Sequence, residues 1–373
     1  MIGRTLLVYF AGRFLRGVLV TFAVFLLLIA AVDMIDQSRR ASGVEDADFV
    51  RVALISLSKA LVLAENIWPF AVLFGAMATL IVLNRRMELV VARAAGVSVW
   101  RFLAPAALAA VMTGLLSGAL YNPLALAAER AGDALRETVY GRTRANANDY
   151  VEDFWLRTAA REGSYVIHAR TAREDGRRLA GVTRYGFGPD GRAAGRVDAA
   201  AMRFEERDAG NVWVAEDATV YEQQDRTGNA REGRRETRLE LPAFTTRQRL
   251  LRAATGPDDV PFWSLPEEAR LAEAAGQNPL PYETRFQSIL ARPLLYVAMV
   301  LLAGTVSLRF ARFGARPGWL ALGIVAGFVL YAVAEVVLAF GRNGIVPPWA
   351  AAWSPALAAT LLATTVLLIQ EDG

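Results

Sequence analysis

Apolar positions in this chain come in long unbroken blocks, not in the short alternations of a soluble core. A helix needs about 20 mostly apolar residues to cross a hydrocarbon core. Six windows fit or nearly fit that length: Phe14–Val32, Ala60–Leu83, Phe102–Tyr121, Phe286–Leu308, Trp319–Phe340 and Trp349–Ile369. The fourth is the most polar, with Gln287 and Arg292 in its first half. Between the third and fourth windows the helical period disappears. From Tyr140 to Thr246 short runs rich in β-branched and aromatic residues alternate with turn residues, which predicts strands. The runs are Asp153–Arg157, Ser164–Arg170, Gly181–Phe187, Arg196–Glu205, Val212–Tyr221 and Glu236–Leu241, with turns at Glu174-Asp175-Gly176, Pro189-Asp190-Gly191 and Asp208-Ala209-Gly210. In the last run Thr237, Leu239 and Leu241 share one face and Glu236, Arg238 and Glu240 the other, as the two-residue period of a strand requires. Several short strands with regular turns suggest a sandwich or jelly roll. Ser264-Leu265-Pro266-Glu267 then predicts a capped helix that stops at Gly276.

The predicted fold is therefore membrane α-helical, six transmembrane helices with an inserted all-β, jelly-roll-like domain. Residues 1–121 hold the first three spans, 122–281 the β-domain with flanking helical segments, and 282–373 the last three spans. Arginines give the orientation. Arg4, Arg13 and Arg16 precede the first span; Arg85, Arg86, Arg93 and Arg101 separate the second and third; Arg309, Arg312 and Arg316 separate the fourth and fifth. With six spans all three clusters fall on one side, which the positive-inside rule makes cytoplasmic. Both termini are then expected in the cytoplasm and the β-domain in the periplasm of an inner-membrane, multi-pass protein. A cleaved signal peptide is the competing reading of the first window, but Asp33, Asp36, Arg39 and Arg40 follow it in place of a small-residue cleavage site.

Composition narrows the chemistry. The chain has 373 residues, 54% of them hydrophobic, and no cysteine, so disulfides and thiolate chemistry are excluded. His168 is the sole histidine and Lys59 the sole lysine. A nucleotide-binding P-loop needs Gly-Lys-Ser/Thr, and Lys59 sits in Ser58-Lys59-Ala60. His168 reads as an ordinary strand residue beside Tyr165, Ile167 and Arg170. No catalytic set, metal site or cofactor is expected. Trp155, Tyr185, Phe187, Met202, Phe204 and Trp213 read first as β-domain core, and as an acyl-chain groove if that core opens. Within the spans, Glu65 and Asn66 lie beside Pro69, and Glu335 lies late in the fifth. Intramembrane acids face protein or water, not lipid.

Four features together resemble a known family, the lipopolysaccharide-export permeases (LptF/LptG). They are three spans, a β-domain and three spans; the stretch Asn84-Arg85-Arg86-Met87-Glu88-Leu89-Val90-Val91-Ala92-Arg93-Ala94-Ala95-Gly96-Val97-Ser98; Arg292-Pro293-Leu294 opening the fourth span with Leu308-Arg309-Phe310-Ala311-Arg312 closing it; and Gly344-Ile345-Val346-Pro347-Pro348 followed by Trp353-Ser354-Pro355. Asp36-Gln37 and the Glu-Leu-Val-Val wording look more like the LptG branch, with LptF the alternative. Asp33 departs from the basic residue that some LptG proteins carry there. The resemblance implies a permease subunit of an ABC transporter that extracts lipopolysaccharide from the inner membrane. It implies a cytoplasmic LptB-like ATPase dimer, an LptF-like sister permease, and LptC-like and LptA-like bridge proteins as partners. Enzymatic turnover would belong to the ATPase chain, and no nucleic acid is involved.

On that reading residues 85–98 form a short amphipathic cytoplasmic helix. Glu88, Leu89, Val90, Arg93, Ala94 and Gly96 are its candidate ATPase-coupling residues, with Glu88 pairing with a basic residue of the partner; the bland alternative is a helix lying on headgroups. Arg39, Arg40, Arg130, Arg136 and Arg292 are the candidate lipid contacts, because guanidinium groups pair bidentately with phosphates. Surface ion pairing with Glu129 and Glu137 or snorkelling is the alternative. Arg285 is a weaker candidate of the same kind. A periplasmic receptor or scaffold and a lipid-modifying enzyme are the competing function classes. The first lacks a signalling domain in the short cytoplasmic pieces, and the second lacks a convergent set of catalytic groups.

Overall fold

The computed structural model describes residues 4–41, 48–94, 96, 98–145, 151–160, 163–173, 178–188, 192–205, 212–222, 233–242, 256–274, 277–312 and 317–372. The turns expected at 174–176, 189–191 and 208–210, the stop at Gly276 and the arginine at Arg316 lie outside them. Contacts divide the chain into a helical unit (Met1–Leu135, Pro261–Pro266, Leu280–Gly373) and a β unit (Arg136–Val260, Glu267–Pro279).

Among the described residues six helical runs are long and apolar enough to cross a membrane, and each coincides with one of the six predicted windows to within a residue or contains it. The first span is one continuous helix, α1 (Arg4–Ala41). The second joins α2 (Phe49–Ala64) to α3 (Trp68–Arg85) through a single 3-10 turn at Glu65–Ile67. Pro69 sits in the first turn of α3. Its ring opposes the carbonyl four residues back, that of Glu65, so regular helix breaks there. A short helix α4 (Glu88–Ala94) follows. The third span is α5 (Val99–Leu116), a π turn at Ser117–Tyr121, and α6 (Asn122–Ala145). Here Pro123 supplies no N–H to Ala119, and the carbonyl oxygen of Ala119 accepts the indole N–H of Trp263 at 3.0 Å. After the strands come α7 (Leu265–Ala274), α8 (Leu280–Arg312), α9 (Pro317–Arg342) and α10 (Pro348–Asp372).

In the helical unit, α3 and α8 are central and α1 and α9 peripheral. Phe14, Val18 and Phe22 of α1 belong to one buried cluster with Trp68, Val72 and Ala76 of α3 and Tyr296, Met299 and Val300 of α8. Phe22 stacks on Trp68 with centroids 3.9 Å apart, and Tyr121 meets both rings edge-on. The helices α1 and α3 touch backbone to backbone. A Cβ added at Gly75 would lie 2.6 Å from Val18 Cα, and one at Gly17 would lie 2.3 Å from Thr79 Oγ1.

The β unit holds β1 (Val151–Ala160), β2 (Gly163–Arg173), β3 (Arg178–Phe187), β4 (Ala193–Glu205), β5 (Val212–Glu222) and β6 (Arg234–Pro242). These contain the six predicted runs. They pair antiparallel in sequence order as one six-stranded sheet. Among the described strands this is a meander, whereas a jelly roll also pairs strands distant in sequence. One line across the sheet departs from regular pleating. The ladder lacks a partner pair at Arg170/Gly181, Gly181/Ala200, Ala200/Asp217 and Asp217/Thr237, yet the pairs on either side keep the same register. Gly181 (φ 59°) and Asp217 (φ 51°) are left-handed on this line. Burial changes phase across it: Leu179 then Val182 in β3, Ala199 then Met202 in β4. A left-handed residue turns the strand over without inserting one, so the sheet folds along this line. Its core includes Ile167, Leu179, Val182, Met202 and Trp213. The fork of Arg235 grips both oxygens of Asp217 at 2.9 and 3.0 Å, and this bond holds the exposed carboxyl below its ordinary pKa.

Candidate functional site

The densest polar constellation lies inside the helical unit. Glu65 opens the 3-10 turn of the second span, and its side chain is 2% exposed. Its Oε1 accepts Nη2 of Arg285 at 2.9 Å and Nη2 of Arg292 at 2.5 Å. Its Oε2 accepts Nδ2 of Asn122 at 2.8 Å, while Oδ1 of Asn122 accepts the backbone N–H of Phe262 at 2.9 Å. Arg285 and Arg292 stand seven residues apart on α8, two helical turns, and so share a face. The hydroxyl of Tyr121 donates to the Leu61 carbonyl at 2.6 Å, and Ser117 Oγ lies 3.3 Å from the Tyr296 hydroxyl. Both helix breaks and α8 are thus tied at one level. One carboxylate and two guanidiniums carry a formal charge of +1, and Nη1 of Arg292 is buried with no hydrogen-bond partner among the described residues. The cluster binds three spans together; it presents no nucleophile beside a base.

Of the residues chosen from sequence as lipid contacts, Arg292 is here, 8% exposed and held by Glu65. Arg39 is in the last turns of α1 and lines an open cavity of about 540 Å³ with Met34, Ile35, Ser38 and Phe49. Arg40 follows it in α1, and its side chain lies outside the described residues. Arg130 is exposed on α6. Arg136 is on the same helix, in the portion assigned to the β unit. Sequence reasoning marked Glu65, Arg285 and Arg292 separately but missed their pairing, and missed Asn122 altogether. The available signal was that an acid in an apolar span needs a cation from another span, and the described spans offer few.

The coupling candidates lie on and after α4. Leu89 is 3% exposed and belongs to one buried cluster with Phe10, Leu83, Val99 and Phe102. It therefore faces the helix bundle. Val90, Val91 and Met87 are the exposed apolar residues, at 45%, 66% and 58%. Arg93 and Ala94 are exposed, and Gly96 adopts φ 79° in the turn after the helix. Glu88 is engaged within the chain: its Oε2 accepts the Tyr9 hydroxyl at 2.9 Å, and its Oε1 lies 3.7 Å from Nη2 of Arg13.

His168 stacks on the exposed ring of Trp155 with centroids 4.4 Å apart. Among the described residues no group of three or more His, Cys, Asp or Glu is placed to hold a metal ion. The family described as "Lipopolysaccharide export system permease LptF/LptG" matches residues 8–369. No curated protein matches the chain.

Proposed function

The chain belongs to the LptF/LptG family of lipopolysaccharide export permeases, and on that premise we propose that it is the LptG-type subunit of an ABC transporter. It draws lipopolysaccharide sideways from the inner membrane into a cavity shared with an LptF-type sister permease. It then passes the lipid, through its periplasmic β unit, to LptC-like and LptA-like bridge proteins. An LptB-like ATPase dimer docks at α4 on the cytoplasmic side and supplies the energy. The observation that carries this reading is a family match running through all six spans and the β insert between the third and fourth.

The surfaces of the helical unit fit the assignment. Large apolar side chains stay uncovered along α1 (Leu19, Val20, Val24, Leu27, Leu28) and α9 (Leu322, Val325, Phe328, Val329, Val333). These faces suit lipid tails and a second permease. Arg39, beside an apolar cavity at the outer end of α1, suits an acylated phosphosugar.

The test is reconstitution. ATP should drive loss of lipopolysaccharide from proteoliposomes holding this chain with its sister permease and ATPase; no ATP-dependent loss would overturn the reading. Orientation is checked in the same Cys-free chain. Cysteines placed singly at exposed Arg93 and Ala200 should react with impermeant reagent from opposite sides of the membrane; labelling of both from the periplasm would refute six spans. Replacing Arg39 and Arg40 together with alanine should weaken lipopolysaccharide crosslinking severalfold. A charged hydrogen bond contributes roughly 1.5–3 kcal/mol in favourable settings, and solvent and salt at a membrane rim reduce it. Arg234→Ala with Arg235→Ala on β6 is the control; an equal effect there would leave only unspecific positive charge.

A further inference from the structure

Trp263 keeps 68% of its surface exposed, although its indole N–H is spent on the Ala119 carbonyl at 3.0 Å. The residue before it is buried. The Phe262 ring stacks on Phe286 of α8 with centroids 5.3 Å apart, and its backbone N–H goes to Asn122. The single 3-10 turn Phe262–Ser264 is thus pinned to the third and fourth spans, while its largest side chain stays uncovered.

A second uncovered indole stands at nearly the same height. Trp349, in the first turn of α10, is 64% exposed. Trp353, one turn further on, donates its indole N–H to Oε1 of Gln287 at 3.2 Å. Phe286 and Gln287 are neighbours on α8, so two segments far apart in sequence each bring an exposed indole to within about a turn of one level of that helix.

Distances along two spans identify the level. Ala119 stands eighteen residues beyond Arg101, about 27 Å at 1.5 Å per residue. Gln287 stands twenty-two residues before Arg309, about 33 Å on the same rise. Both arginines belong to the clusters that fall on one side of six spans. A hydrocarbon core is about 30 Å thick, so Ala119 and Gln287 mark its far edge. Below that edge Leu108, Met112 and Leu116 of the third span are half exposed or more, an apolar stripe that leads up to the turn. One exposed tryptophan alone is ordinary. Two at the edge of the core are informative, because an indole joins a large apolar face to a polar N–H and favours the layer between headgroups and acyl chains.

We propose that Trp263 and Trp349 seat the chain in that layer: residues 262–264 lie in the membrane interface on the side of the β insert, against phospholipid, and not in the water above it. This rests on the six runs spanning a membrane and is independent of which lipid is exported. It also sets the depth of the Glu65 cluster. Arg285 stands at the interface, and Arg292, five residues beyond Gln287, lies about 8 Å inside it.

The chain has no cysteine, so a bimane label is attached singly at Trp263→Cys, Ser264→Cys or Trp349→Cys. Ser264→Cys is nearly isosteric and leaves both indoles in place, which keeps the test alive should Trp263→Cys fail to fold. The full chain, alone and assembled with its sister permease and ATPase, is placed in phosphatidylethanolamine–phosphatidylglycerol vesicles. These carry a lipid with a nitroxide either near the head or near the end of its acyl chain. All three labels should lose more emission to the shallow nitroxide than to the deep one. Leu108→Cys, about 16 Å below Ala119 along the span, should show the reverse, and Ala200→Cys on β4 should respond to neither. Labels at 263 and 264 that behave like Ala200→Cys would put the turn in water and overturn the proposal. The deep pattern of Leu108→Cys at those positions would overturn it as well, since the turn would then lie inside the core. Quenching present in the chain alone but lost in the complex would mean that a protein partner, not phospholipid, covers the indoles, and the proposal would fall. A Leu108 label untouched by both lipids would refute the third span itself, a failure separate from that of the seat.

Discussion

Glu65→Ala should abolish most of the folded protein recovered from membranes. The side chain is the shared acceptor of Arg285, Arg292 and Asn122. Removing one partner of a buried ion pair costs about 3–5 kcal/mol, because the remaining charge is left without compensation. Here two guanidiniums lose their counter-charge at once. The loss is large against the roughly 5–15 kcal/mol that holds a typical domain folded. The check is yield and thermal unfolding in detergent, followed by size-exclusion of the surviving fraction. A second variant separates charge from shape. Glu65→Gln keeps an acceptor oxygen, and combined with Arg292→Met it removes one buried cation. That pair should recover much of the stability lost by Glu65→Ala. Wild-type unfolding of Glu65→Ala alone would mean that the cluster does not hold the three spans together.

Gly75→Leu should be nearly as damaging, by a different cause. The new Cβ would sit 2.6 Å from Val18 Cα and 2.7 Å from Val18 N. Those are main-chain atoms of α1 and cannot rotate aside. Overpacking a core costs about 1–3 kcal/mol when side chains adjust, and here a helix must move instead. Even Gly75→Ala should lower thermal stability measurably. Gly12→Ala, on α1 with nothing within 4 Å of the added carbon, should behave as wild type. Equal stability of Gly75→Leu and Gly12→Ala would contradict the close crossing of α1 and α3.

The spans and strands were legible in the sequence because both depend on the spacing of apolar residues. Windows such as Phe102–Tyr121 and runs such as Arg196–Glu205 fall inside the observed elements. The span ends were less so: α1 and α8 continue through arginine-bearing residues, since a helix outlasts the apolar stretch that anchors it. The fold line of the sheet was hidden because Asp217 carries a positive φ that no alternation pattern reports. In the site, composition pointed to Glu65 and Arg292 but not to each other, because a helical period fixes faces within one span and says nothing about which spans meet. Leu89 and Val90 were both taken as coupling residues, although adjacent helical residues diverge by about 100°; one went inward and the other stayed out.

The pairing of Glu65 also sets an order of events during synthesis. Its partners Arg285 and Arg292 lie 220 and 227 residues later in the chain. At 5–20 residues per second the ribosome needs roughly 10–45 s to supply them. Throughout that interval the second span carries an acid with neither arginine yet made, while the whole β insert is translated. Its six strands each pair with a sequence neighbour, and such local contacts form quickly. The β insert therefore has time to fold before the fourth span exists, and the first three spans wait for the arginines that complete them. A chain truncated before Arg285 should be degraded as an unassembled span, with its sheet already formed.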